Sequence, residues 1–131
     1  MLRAELVVAF QVLLRDLASG ADPAPRLEEH DYPGLPDDTA WGLLRWPDGS
    51  GAAVHISLAQ TAQEQLAELA DQLSDEMTTQ RWSHGEPAVW PECPRHPDSH
   101  CLHVAVRDHQ ATWFCPASAE PIAAVGHLPG R

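Results

Sequence analysis

The chain has 131 residues and a formal charge of -11 at neutral pH, which is length enough for one ordinary core, or for a small α/β unit joined to a mini-domain that needs a staple. Its acidity is N-terminal: residues 1–86 hold 5 Arg against 15 acids, and residues 87–131 hold 3 Arg against 4. A field of that sign repels phosphate backbones and anionic lipid, so direct nucleic-acid binding and membrane association are poor expectations, and a basic protein surface suits it better.

Leu2, Leu6, Phe10, Leu13, Leu14 and Leu17 recur at helical spacing, with Val7, Val8 and Val12 widening the stripe and Gly20 standing where a helix would stop. The same stretch invites a signal-peptide reading. Glu5 in the would-be basic region, Gln11 within the apolar run and Arg15-Asp16 before the small-residue site oppose it, and the run is far short of the ~20 residues that span a bilayer. A cytoplasmic protein is the expectation. Residues 21–38 carry four prolines and six acids, the composition of an irregular, solvated connection.

Trp41 to Trp46 and Ala52 to Leu58 flank Pro47-Asp-Gly-Ser-Gly51, which predicts a β-hairpin with Val54, Ile56 and Leu58 on one face. From Gln60 to Arg81, Ala62, Leu66, Leu69, Leu73 and Met77 form the seam of an amphipathic helix, and Thr61 with Glu64 matches a capping box at its start. The opposite face holds Glu64, Glu68, Asp71 and Asp75 without a basic residue among them. Such a stripe is either a solvated face or a docking surface for a basic partner.

After a boundary near Gly85-Glu-Pro87, Leu102 to Arg107 alternates as a strand does, Asp108-His-Gln110 reads as a turn, and Ala111 to Cys115 and Ile122 to Val125 supply two further short strands. These ~45 residues hold too few apolar groups for an independent core, and a metal is the usual substitute at that size. Cys93-Pro-Arg-His96 has the two-residue separation that lets both donors of a tight turn reach one ion. Cys115-Pro begins a second knuckle whose expected partner is Ser118, a poor zinc ligand. The fourth donor is then His100, which directly follows the first knuckle, or Cys101; neighbours in an extended segment point to opposite faces, so both cannot easily serve. The expected metal set is Cys93, His96, His100 and Cys115, holding a structural zinc, with His103, His109 and His127 as bystanders. Against it stands the reading of Cys101 and Cys115 as small buried core residues, with the histidines decorating a surface.

The runs Trp90-Pro-Glu-Cys-Pro-Arg-His-Pro-Asp-Ser-His, Ala111-Thr-Trp-Phe-Cys-Pro and Ala124-Val-Gly-His-Leu128 resemble the C-terminal signature of short uncharacterised actinobacterial proteins, and are similar to a degenerate zinc ribbon. The resemblance covers residues 88–128. In that group proline tends to follow the second histidine; Cys101 stands there in this chain, which favours His100 as the ligand. The group has no assigned activity, so the resemblance implies a metal site and no mechanism.

Were Cys93, His96 and Cys115 to bind alone, with Glu92 or Glu86 as base, a small zinc-dependent hydrolase with an open metal position becomes conceivable, yet H-E-x-x-H and H-x-E with P-C-x-x-C are missing. No serine lies in a G-x-S-x-G context, and no phosphate-binding loop is present. Five Trp, a type enriched at interface hot spots though equally ordinary core, fit a binding module. The sequence therefore predicts an α+β fold. Residues 1–86 form an acidic helix–hairpin–helix unit, and residues 87–131 a three-stranded, zinc-ribbon-like unit docked beside it, in a non-catalytic adaptor or regulator that binds a protein partner through its acidic surface.

Overall fold

The computed structural model describes residues 2–18, 23–30, 32–97 and 99–129; Gly20, the expected helix stop, lies outside them. The first apolar stripe forms helix α1 (Ala4–Ala18), which buries Leu6, Phe10, Leu13 and Leu17. Val8 is left in solvent, so the stripe is narrower than its valines suggest.

Strand β1 (Arg26–Glu28) pairs antiparallel with β2 (Thr39–Arg45), which pairs with β3 (Gly51–Ser57). The hairpin lies where the turn cluster expects it. Strand β1 corrects the reading of residues 21–38 as wholly irregular. Three residues with a charge at each end carry no legible alternation; the strand exists because the edge of β2 receives it, and Glu28 pairs with Arg26 at 3.0 Å and with Arg45 at 3.4 Å.

Helix α2 (Ala62–Ser83) begins at the expected capping box: Glu64 N–H donates to Thr61 Oγ1 at 3.2 Å, and Thr61 N–H donates to Glu64 Oε1 at 3.0 Å. Its seam buries Leu66, Leu69, Leu73 and Met77, each worth about 1.5–3 kcal/mol relative to exposure. This seam packs on α1, on β3 and on the second sheet, which comprises β4 (His103–Arg107), β5 (Gln110–Phe114) and β6 (Pro121–Ala124) in antiparallel order. Asp108 and His109 both have positive φ, 49° and 64°, as a two-residue hairpin turn of the primed type needs. One apolar cluster spans both sheets; Trp90, Leu102, Trp113 and Val125 from the C-terminal third meet Leu13, Leu17, Leu69 and Met77 in it. Trp46 is buried as well, Trp41 is half-buried and Trp82 is exposed. No helix among the described residues is long and apolar enough to cross a membrane.

Part of the acidic stripe of α2 is spent within the fold. Besides Glu64 in the cap, Glu68 accepts the N–H of Ser57 at 3.3 Å. Gln72 lies between them in role: its Oε1 accepts the N–H of His55 at 2.9 Å and its Nε2 donates to the same residue's carbonyl at 2.6 Å. With Gln65 donating to the carbonyl of Ser57 at 3.1 Å, helix side chains stand in for a missing strand and close the edge of β3.

The segment after β6 is seated on α1 through Gly126, whose φ is 96° and where a Cβ would come within 2.7 Å of Val12 Cγ1. Valine is stiff at χ1 and cannot swing aside cheaply. Gly126→Ala should therefore lower stability by about 2–4 kcal/mol, from strain at positive φ plus the clash, read as a shift in the chemical unfolding midpoint; a change below about 0.5 kcal/mol would contradict this seating.

Candidate metal centre

Four side chains from two loops converge at the end of the second sheet. The described residues between Cys93 and His100 form a loop closed on itself: His96 N–H donates to Cys93 O at 3.1 Å, Ser99 N–H to His96 O at 3.2 Å, and Cys93 N–H to His100 O at 3.4 Å. That last bond returns His100 to the side of Cys93. Immediately outside it, Glu92 bridges Cys101 and Leu102 N–H donates to Pro91 O at 2.8 Å, so the loop stands on a short antiparallel stem. The second loop follows β5, where Ala119 N–H donates to Cys115 O at 2.7 Å and Cys115 N–H to Glu120 O at 2.9 Å. Arg95 of the first loop meets Glu120 of the second at 2.9 Å; the pair is exposed and contributes at most about 1 kcal/mol.

Cys93, His96, His100 and Cys115 place one ligand atom each within 4.8 Å of all the others, and the group could hold a metal ion. Cys93 Sγ lies 3.7 Å from His96 Nδ1, and Cys115 Sγ lies 3.6 Å from His96 Nδ1 and 3.5 Å from His100 Nε2. Bonds of ~2.3 Å to sulfur and ~2.0–2.1 Å to nitrogen at tetrahedral angles separate the two donors by about 3.5 Å. The three sulfur–nitrogen edges thus have the length that a single four-coordinate ion imposes. Both cysteines are fully buried, His100 is half-buried and His96 is exposed, so the centre sits at the surface with its thiols on the core side.

Of the residues singled out from sequence, these four come together and the alternatives do not. Cys101 faces the other way, its Sγ 3.8 Å from Thr78 Oγ1 on α2, as adjacent positions of an extended segment require. His103 packs edge-on against Phe114, His109 occupies the β4–β5 turn, and neither these nor His127 joins the group. Glu86 pairs with Arg81 at 3.6 Å at the end of α2, and Glu92 is not among the converging donors.

Ser118 has a role that its poor ligand chemistry concealed. Its hydroxyl hydrogen-bonds to Cys115, and with its own N–H, that of Ala117 and a contact from His100 it outweighs the effect of burial and brings the thiol down from 9.0 to about 5. The Cys-Pro-x-Ser turn thus keeps the donor geometry of a knuckle, with the serine supporting the ligand from outside. The one signal for this in the sequence is the knuckle spacing itself.

A thiol lowered in the folded state contributes stability that is fully present above its unfolded value near 9 and is lost as pH falls through about 5. Thiolate absorbance of metal-free protein should accordingly disappear with a midpoint near pH 5, and Ser118→Ala should move that midpoint upward. An unmoved midpoint would remove Ser118 from the centre.

Compared with protein-family models, with curated proteins and with solved structures, the chain matches none.

Proposed function

We propose that this chain is a non-catalytic, zinc-binding adaptor or regulator of the cytoplasm. One structural zinc on Cys93, His96, His100 and Cys115 ties its C-terminal third, and its acidic surface docks on a basic protein partner. The observation that carries the zinc reading is the convergence of four donors at tetrahedral separations. Two thiols and two imidazoles suit zinc and disfavour magnesium or calcium, which take oxygen ligands. Four protein donors complete the shell, whereas the hydrolase alternative needs three and a bound water, so the role assigned is structural. All three cysteines are free, which fits a reducing compartment.

Docking is supported by charge. The net charge is -11, and Asp71 and Asp75 stand exposed on α2 without an ion pair to a described residue. Next to Asp75, the carboxyl of Glu76 is raised above its usual value by burial and then by that neighbouring charge.

Elemental analysis of protein purified without added metal tests the first part, with one zinc per chain expected and a metal-free, fully ordered protein refuting it. Pull-down at low and high ionic strength tests the second. A partner held by charge is lost as salt rises, and retention at high salt would point to a different surface.

A further inference from the structure

Resting on that docking role, we propose that the free edge of β4 is the docking site, and that its occupant is an extended basic segment of the partner, which adds to the second sheet as a fourth strand.

The backbone makes the case first. Arg107 and Gln110 flank the two-residue turn and face each other in the ladder, so the strict alternation of an antiparallel pair turns the N–H and C=O of Val104 and Val106 away from β5. Those groups have no hydrogen-bond partner among the described residues. The chain itself starts to pair this edge and then abandons it: Leu102 N–H donates to Pro91 O and Cys93 N–H to His100 O, after which Val89 and Trp90 turn to α2, where Arg81 and Ser74 donate to their carbonyls. An incoming strand would continue the line that residues 91–93 begin.

The second observation is a contrast along one helix. On one flank of α2, Gln65, Glu68 and Gln72 close the edge of β3. No side chain of α2 reaches the backbone of β4 in the same way. Instead two depressions lie between the helix and that strand. One of about 410 Å³ is bordered by Asp71, Asp75 and Val104, and one of about 420 Å³ by Glu64, Val106 and His109. Together they follow the length of the strand, with carboxylates on the helix side and apolar groups of Leu102, Val104 and Val106 toward the sheet.

Charge selects the occupant. A second copy of this chain would bring a net charge of -11 against the same acidic flank. In a segment with lysine or arginine at alternate positions, the basic side chains share the helix-facing side, where their cations reach Asp71 and Asp75 and their aliphatic stems cover Val104 and Val106, while the small residues between them face away and the backbone pairs with β4.

The test uses zinc-loaded, full-length protein and a capped synthetic peptide alternating lysine and valine, followed by amide chemical shifts and calorimetry. Binding should perturb the Val104 and Val106 amides and weaken as salt rises. Val106→Pro should weaken it about tenfold, since one edge donor is lost and the ring obstructs pairing. N-methylation of alternate peptide residues should abolish binding without touching the protein, which covers the case in which the proline variant misfolds. Asp71→Asn with Asp75→Asn should weaken binding about fivefold at low salt and flatten the salt dependence. No binding, equal affinity for a glutamate–valine peptide, shifts confined to another face, or a self-association that Val106→Pro abolishes would each overturn the proposal. Because zinc content is measured separately, such a result would leave the metal reading standing.

Discussion

On the proposed zinc assignment, replacing Cys115 by serine should strip the protein of the ion and release the two loops that it would join. A structural zinc in small metallo-domains contributes on the order of 10–16 kcal/mol of apparent binding energy, shared here among four donors, so loss of one thiolate should weaken binding at least about a hundredfold. Cys93→Ser should behave alike, because Cys93 and Cys115 stand on two different loops that the ion would bridge, with the exposed Arg95–Glu120 pair as a further link between them. Zinc per chain should fall well below one, amides of residues 93–101 and 115–120 should lose protection, and the melting temperature should drop. The damage should spread, since Leu102, Trp113 and Val125 share a core with α1 and α2. Cys101→Ser is the control: its sulfur faces Thr78 rather than the centre, so zinc should remain and stability should change by less than about 1 kcal/mol. Full metal retention by both ligand variants would end the assignment.

Asp16→Ala should unfold the protein more readily by about 3–5 kcal/mol without changing how much metal the chain holds. Asp16 is fully buried near the end of α1, yet it accepts bonds from the other end of the chain: Trp113 Nε1 at 2.8 Å, Gly126 N–H at 2.7 Å and Leu128 N–H at 3.0 Å. Charge-assisted bonds of this kind are worth about 1.5–3 kcal/mol each, and stranding their donors in a dry site adds a desolvation penalty. Asparagine preserves the shape but presents an amide N–H where donors already crowd, so Asp16→Asn should recover only part of the loss. Urea unfolding should show a lower midpoint with an unchanged slope. The effect of Trp113→Phe should shrink in the Asp16→Ala background, because the two share one bond. Additive effects would mean that the contact carries no energy.

Much of the architecture was legible in the chain because it rests on local chemistry. The seam of α2 and its capping box, the alternation of β4 and the turn at Asp108-His109 are each decided within a few residues of themselves. Cys93 and His96 belong to the same class, since a two-residue gap brings both donors to one side of a turn whatever surrounds it. That His100 and Cys101 cannot both serve also followed from the opposed faces of extended neighbours, and the structure brings His100 to the group while Cys101 faces Thr78.

Other features left no mark. Strand β1 is three residues long and exists through the edge that it joins. Glu68 reads as part of an acidic helix face and Gln72 carries no signal in the sequence, and only the position of β3 beside α2 shows that they close a sheet. Ser118 was set aside as a failed ligand because a sequence lists donors to the ion, not donors to the sulfur.

By itself, then, the sequence determined every element but β1, their order and the first half of the candidate metal centre, for these follow from periodicity and turn stereochemistry over short spans. That Cys115 meets the first knuckle was expected from its Cys-Pro turn but left open against a plain core role until the packing decided it, and tertiary structure alone decided that Asp16 clasps groups 97 to 112 residues away and that one sheet edge is closed while another stays open. Contacts of that range depend on how whole elements pack, and spacing along a chain carries no record of it.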